Sequence, residues 1–213
     1  MKKKRVVAFV PIKLNSQRLP FKNKLPLGEH PMAYYICKSL LQVKNIDEVY
    51  VYCSNEEVMK YVPEGVAFLK RDQKLDGDLV KGKDIYSSFI NEIESDIYIL
   101  AHTTSPFLKS ESIENALNKM INEGHDSALS VQKIQTFAWY NGKPINYDLN
   151  DIPRTQDIKP VLIETSGFFM FEKRIFTEYG RRIGFNPYLQ EVNGVEAIDI
   201  DTKEDYEFAL KLV

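Results

Sequence analysis

Three groups of residues in this chain have types and spacings that could do chemistry. The first lies between Pro11 and Pro26, where Lys13, Arg18, Lys22 and Lys24 are interleaved with Asn15, Ser16, Gln17 and Asn23, and no Asp or Glu intervenes. Several cations with small hydrogen-bonding residues between them suit a polyanion, most economically a triphosphate. The other reading is a solvated basic loop, although an ordinary surface mixes signs over so many residues. The second group is Asp199-Ile-Asp201. On an extended strand residues two apart share a face, so both carboxylates would point one way while Ile198 and Ile200 point the other. Carboxylates about 6–7 Å apart along a strand repel each other unless a cation sits beside them. Hard oxygen ligands with incomplete protein coordination suit Mg²⁺ completed by phosphate oxygens and water. Alternatively, Asp201 is a local helix cap and Asp199 a solvated edge charge. Beside a phosphate loop the metal reading gains, because ion and lysines together would neutralise a triphosphate.

The third group is His102-Thr-Thr-Ser-Pro106. Thr104 and Ser105 are small hydroxyl residues able to bond a base or ribose in a crevice. His102 reads as a base-edge contact, a general base or a satisfied structural residue, with binding favoured over catalysis. Arg71 and Asp78 sit on a neighbouring turn and either reach the same ligand or are surface charges.

These groups need elements to position them. The apolar run 6–10 has the length and composition of a strand buried on both faces, and it stops at Pro11. Pro31 then opens a helix carrying Met32, Tyr35, Ile36, Leu40 and Val43 near a 3.6-residue period. Strands are expected at 49–53, 66–69, 97–101 and 128–131. Between them fall a short helix capped by Ser54 and Asn55, a helix over 84–93, and one capped by Ser110 and stopped by Gly124. Alternation at this spacing argues an α/β fold, a mainly parallel, doubly wound sheet with helices on both faces. A loop at the carboxyl end of its first strand is where such sheets bind ligands.

From 132 to 165 the periodicity disappears, and Trp139, Tyr140 and Tyr147 appear among prolines and polar residues. Embedded aromatics favour an ordered lid or a dimer contact over disorder. The pattern resumes at 167–171, followed by a short helix, an irregular stretch 181–193 and a last strand at 195–200. A capping box from Thr202 to Asp205 opens the final helix.

With 213 residues, 44% of them hydrophobic and 27% charged, the chain reads as one domain spanning 1–213. A net charge of −2 argues against nucleic-acid or membrane-surface binding. The basic start runs into too short an apolar stretch for a signal peptide, and no stretch is long enough to span a bilayer. Cys37 and Cys53 read as buried thiols in a reducing compartment, so a cytoplasmic protein is expected.

The block VPIKLNSQRLPFKNKLPLGEHPM resembles the opening block of acylneuraminate cytidylyltransferases, the enzymes that make CMP-sialic acid. HTTSPF is similar to that family's block after the fourth strand, usually Gln-Pro-Thr-Ser-Pro. SGFFMF and AIDIDTKEDYEFA resemble its last two blocks, so the likeness covers nearly the whole chain in order. The resemblance implies a Rossmann-like CTP-binding domain of the nucleotide-diphospho-sugar transferase type, usually a homodimer. It implies attack by a sugar-acid oxygen on the α-phosphate of CTP, with Mg²⁺ or Mn²⁺, and release of pyrophosphate. By that carry-over Ser16, Lys22 and Asn23 match phosphate-loop positions, Arg71 a nucleotide-side arginine, Asp199 and Asp201 the metal pair, and Arg154 an arginine near the sugar.

Three departures stand out. Lys13 occupies a position where the family usually has Arg, keeping the charge but losing the bidentate fork. His102 and Thr103 replace Gln-Pro. Glu164 stands in a segment that is usually more basic, beside Ser166. The expected acceptor is therefore sialic acid, a related nonulosonic acid, an eight-carbon keto-sugar acid or another anionic group, in surface polysaccharide biosynthesis. The expected roles follow. Lys13, Arg18 and Lys22 hold the β- and γ-phosphates. Asn15, Ser16, Asn23, Arg71, His102, Thr104 and Ser105 bind the nucleotide. Arg154, Glu164 and Ser166 face the acceptor, and Asp199 and Asp201 hold the metal. Two rivals remain: a glycosyltransferase using its Asp-x-Asp pair on a nucleotide sugar, and a catalytically silent nucleotide-binding protein on the same fold.

Overall fold

The computed structural model describes residues 3–14, 16 and 18–213. Its first strand, β1 (Val6–Pro11), is apolar on both faces and lies at the middle of a sheet. β1 pairs in parallel with β2 (Glu48–Cys53) on one side and β4 (Ile97–Ala101) on the other, and β2 pairs in parallel with β3 (Ala67–Lys70). Beyond β4 comes β6 (Val161–Glu172), antiparallel both to β4 and to β5 (Ser127–Ile134), and β7 (Pro187–Val192) closes that edge parallel to β5. Among the described residues the sheet has seven strands in the order β7-β5-β6-β4-β1-β2-β3. The chain winds outward from β1 through β2 and β3, then returns to β1's other flank as β4. That reversal opens a crevice at the carboxyl ends of β1 and β4.

The two-residue alternation of β1 sorts the core into two layers. Val6, Ala8 and Val10 join a cluster with Ala33, Ile36 and Leu40 of α1 (Met32–Leu41) and Ile113, Leu117 and Met120 of α3 (Ser110–Glu123). Val7 and Phe9 face the opposite way, towards Phe89 of α2 (Gly82–Glu92) and Ile175 of α4 (Lys173–Tyr179). The rings of Phe9 and Phe89 stack at 4.2 Å. A third, smaller cluster bears directly on the site. In it Leu19 and Leu27, from the basic loop, pack against Met32, Ile200 and Ala209, the last from α5 (Lys203–Ala209). Burial of those side chains ties the start of the chain to its last helix.

The structure departs from the sequence reading in five places. The stretch 195–200 is not a strand. Asn193 takes up the N–H groups of Val195 and Glu196 through its Oδ1, and its own carbonyl accepts from Ala197, so a local turn uses the backbone groups a ladder would need. The edge strand is Pro187–Val192 instead, inside the stretch expected to be irregular, and its Gln190 and Glu191 blur any apolar alternation. β5 and β6 both extend into the aperiodic segment, which shrinks to 135–160 and holds the small hairpin of Trp139–Tyr140 with Lys143–Pro144. The N-terminus of α3 is satisfied not by Ser110 but by Glu196, whose Oε1 accepts from the Lys109 N–H at 3.0 Å and the Ser112 hydroxyl at 2.7 Å. The helix after Asn55 is a 3₁₀ segment, Glu56–Tyr61, with Asn55 as its cap. Among the described residues no helix is long and apolar enough to cross a membrane.

Candidate active site

The basic loop is held from within by Asn23, which is only 6% exposed. Its amide donates to the Lys13 carbonyl at 2.8 Å, and its Oδ1 accepts from the Thr103 hydroxyl at 2.5 Å. One buried amide therefore ties the loop after β1 to the turn after β4. A 3₁₀ turn, Lys22–Lys24, follows Phe21, whose φ of 56° lies in the left-handed region.

Across the crevice the loop meets the aspartate pair. Lys22 Nζ lies 2.7 Å from Asp201 Oδ1, and Arg18 Nη1 lies 2.6 Å from Asp201 Oδ2. Lys13 pairs with Asp78 at 2.7 Å, and Lys24 with Glu57 at 3.0 Å. Although 195–200 is not a strand, Ile198 and Ile200 turn into the small cluster while Asp199 and Asp201 both line the cavity, as alternation requires. The segment is anchored by the Ile200 N–H, which donates to the Thr104 carbonyl at 2.8 Å.

The two carboxylates are unlike. Burial pushes the Asp199 carboxyl above its ordinary pKa; a hydrogen bond from Thr104 opposes this, and the neighbouring Asp201 charge adds to it. Asp199 Oδ1 is buried and has no hydrogen-bond partner among the described residues. Burial also disfavours the ionised form of Asp201, but Lys22 and Arg18 outweigh it and hold that carboxyl below the usual range. Burial likewise depresses the imidazole of His102, against the pull of the Ser166 carbonyl. His102 Nδ1 stands 2.6 Å from that carbonyl, which can only accept, so Nδ1 carries the proton and Nε2 is left as an acceptor.

These groups line a trough of adjoining chambers. An outer one runs from Lys13 and Ser16 past Arg71 to Ser54 and Asn55. A middle one of about 510 Å³ adds Arg18, Lys22, Asn23, Tyr86 and His102. An inner one of about 360 Å³ contains Arg18, Lys22, His102, Thr104, Ser166, Arg182, Asp199 and Asp201.

Several expected residues act differently from their sequence reading. Arg71 borders the trough but is buried. Its guanidinium donates to the Ile12 carbonyl at 2.9 Å and the Tyr52 carbonyl at 3.3 Å, and pairs with Asp76, so it props the floor. Ser105 lies beneath the turn after β4, closing it through its N–H to the His102 carbonyl, and does not line the trough. Ser166, at φ 59° in the bulge of β6, does line it. Arg154 is exposed and paired with Asp157 at 2.7 Å, and Glu164 is exposed opposite Val131; neither lines these chambers within one chain. Asn15 lies outside the described residues. Arg182 went unrecognised in the sequence, and Thr103, noted only as a departure from Gln-Pro, proves to line the inner chamber. Arg181-Arg182 is the only pair of consecutive arginines in the chain, a signal overlooked because it sits in an aperiodic stretch.

An open α/β sheet with a cationic loop and two carboxylates facing each other over its reversal point places charged side chains where such sheets bind ligands. Comparison with known proteins narrows this. Residues 7–213 match the sequence profile of the cytidylyltransferases, and the chain belongs to that family. It is 25% identical to N-acylneuraminate cytidylyltransferase A of Danio rerio, over 98% of this chain and 50% of that protein. It is 21% identical to N-acylneuraminate cytidylyltransferase of Streptococcus agalactiae serotype III, over 94% of this chain and 51% of that one. The chain thus spans about half the length of the curated relatives it matches. The solved structure of CMP:2-keto-3-deoxy-manno-octonic acid synthetase complexed with CTP is similar in fold, with a TM-score of 0.73 at 20% identity over 98% of each chain.

Proposed function

We propose that the protein moves CMP from CTP to a hydroxyl of an anionic sugar acid. The acceptor oxygen attacks the α-phosphorus and gives up its proton to water, the bond from that phosphorus to the bridging oxygen breaks, and pyrophosphate leaves with the electron pair. The observation that carries this reading is the contact of Lys22 and Arg18 with Asp201 across the crevice. It sets phosphate-binding cations against a carboxylate that can share a divalent ion with the same phosphates. When CTP enters, Lys13, Arg18 and Lys22 would exchange their carboxylate partners for β- and γ-phosphate oxygens and stabilise the leaving pyrophosphate. Asn23 and Arg71 keep the loop and floor in place, Ser16 and Thr104 offer hydroxyls, and neutral His102 offers Nε2 to the bound molecule.

Asp199 and Asp201 are the residues that would hold Mg²⁺ or Mn²⁺. The unpartnered, buried Oδ1 of Asp199 fits a hard cation, as does an all-oxygen donor pair. Among the described residues no group of three or more His, Cys, Asp or Glu converges, so substrate oxygens and water would complete the shell. Once bound, the ion would neutralise charge on the triphosphate. Exposed Trp139, Tyr140, Ile145, Leu149 and Ile152 on the 135–160 segment support its reading as a lid or as a contact with a second copy in a homodimer. Buried free Cys37 and Cys53 suit a reducing cytoplasm, where CTP is available for the synthesis of surface polysaccharide.

The test supplies CTP and Mg²⁺ with a panel of keto-sugar acids and measures pyrophosphate. Metal-dependent release with one of the acids is expected. Turnover only from a preformed nucleotide sugar, or CTP binding with no turnover on any acid, overturns the reading.

A further inference from the structure

We propose that Arg182 recognises the carboxylate of the acceptor; this deepens the cytidylyl-transfer reading and rests on it. Of the cations lining the inner chamber, Arg18 and Lys22 are both committed to Asp201. Arg182 is the third, and among the described residues it makes no ion pair with a carboxylate. Its Cζ lies 3.6 Å from the centre of the Phe169 ring, and Nη1 stands 3.5 Å from the Tyr86 hydroxyl. A guanidinium stacked on an aromatic face keeps its N–H edge free and fixed in direction, the arrangement suited to a bidentate carboxylate.

The backbone behind it is pinned as well. The Gly184 N–H donates to the Ser127 hydroxyl at 2.8 Å. Asp126 accepts from the Phe185 N–H at 2.7 Å and from the Asn186 N–H at 3.1 Å. A side chain built on so anchored a turn loses little freedom when it binds.

Position identifies which anion it serves. Arg182 is absent from the outer and middle chambers, where Lys13, Ser16 and Arg71 stand; it lines both the chamber of the aspartate pair and Ser166 and a small neighbouring one edged by Lys83 and Tyr86. In a 2-keto sugar acid in its ring form, the attacking hydroxyl and the carboxylate sit on one carbon. An acceptor oxygen brought to the α-phosphate beside Asp199 and Asp201 therefore carries its carboxylate into this chamber. Arg154, the arginine expected near the sugar, does not line it.

The experiment compares wild type, Arg182→Gln and Arg182→Lys in pyrophosphate release, using the acid the wild type accepts best and its carboxamide analogue. CTP binding by calorimetry reports whether each variant is folded. Arg182→Gln should raise the acceptor KM on the order of 10- to 100-fold, the loss of a charge-assisted pair. It should leave the KM for CTP within about 2-fold and abolish the preference for carboxylate over carboxamide, with Arg182→Lys recovering part of both. An unchanged acceptor KM and preference in Arg182→Gln overturns the inference alone, as does a matching rise in the KM for CTP, which would give Arg182 to the triphosphate. Wild type that uses no acid overturns the proposed function, and this inference with it.

Discussion

Neutralising the two aspartates one at a time should move stability in opposite directions while suppressing turnover in both cases. Asp201 balances two cations, at 2.7 Å from Lys22 and 2.6 Å from Arg18, and its side chain is 25% exposed against 10% for Lys22. Asp201→Asn keeps an acceptor for one of them but strands their charge. Breaking a fully buried pair costs about 3–5 kcal/mol, and the open cleft screens that to about 1–2 kcal/mol. For a chain of 213 residues, 1 kcal/mol corresponds to about 2 °C in Tm. Asp201→Asn should therefore melt about 2–4 °C below wild type. Asp199 is the reverse case. Its Oδ1 is buried without a partner among the described residues, and burial together with the Asp201 charge disfavours its ionised form. Relieving this in Asp199→Asn should stabilise the ligand-free protein by about 1 kcal/mol, or roughly 2 °C. The sign in pH follows, because a carboxyl raised in the folded state carries no penalty below its unfolded pKa, near 4. The penalty grows as pH rises from the unfolded value to the folded one and is complete above it. The gain should thus be larger at pH 7 than at pH 4 and disappear below the unfolded value. Both variants should lose about 10²- to 10³-fold in kcat, as when one electrostatic stabiliser is removed. Thermal melts in chelator at pH 4 and pH 7, with pyrophosphate assays in Mg²⁺, measure all of this. Equal destabilisation by both variants would refute the distinction drawn between the carboxylates.

Two further outcomes are expected. Burial opposes ionisation of Asp126, but N–H donors from Phe185 and Asn186 and the Ser127 hydroxyl outweigh it and hold its carboxyl below the usual range. Its stabilisation is therefore present above the unfolded pKa near 4 and lost as pH falls through the folded value, so Asp126→Asn should lower Tm by about 4–6 °C at pH 7 and by progressively less below pH 4 in a series of melts. Arg71→Lys should cost about 2–4 kcal/mol, because an ammonium cannot serve Asp76 and the Ile12 and Tyr52 carbonyls together; a denaturant titration showing under 1 kcal/mol would remove Arg71 as the prop of the trough floor.

Much of this molecule was legible in its residues because the relevant signals are local. Buried parallel strands read as continuous apolar runs, so the stretch 6–10 and 97–101 were evident, and cations without intervening acids marked the loop between them. The aspartate alternation identified which side chains share a side even though the backbone there forms no ladder. What stayed hidden depends on distant partners. Glu196 caps α3 from 87 residues away, so the sequence pointed to Ser110 instead. Asn23 and Arg71 look like ligand-binding groups by type, but each finds its acceptors in the folded chain. Pro187–Val192 buries a polar Gln190 beside Val192 on one face and exposes Leu189 and Glu191 on the other, a pattern easily read as loop. Arg182 carried no periodic context, and only the fold puts Phe169 beneath it.

Lys22 and Asp201 stand 179 positions apart. At translation speeds of about 5–20 residues per second, roughly 10–35 s separate the emergence of the first from that of the second. Glu57 and Asp78, the partners of Lys24 and Lys13, emerge earlier, but throughout that interval Arg18 and Lys22 lack the carboxylate they pair with in the folded chain, and the ribosome itself is a surface of phosphates. The segment that draws Lys22 and Arg18 away from stray polyanions is thus made long after the loop itself.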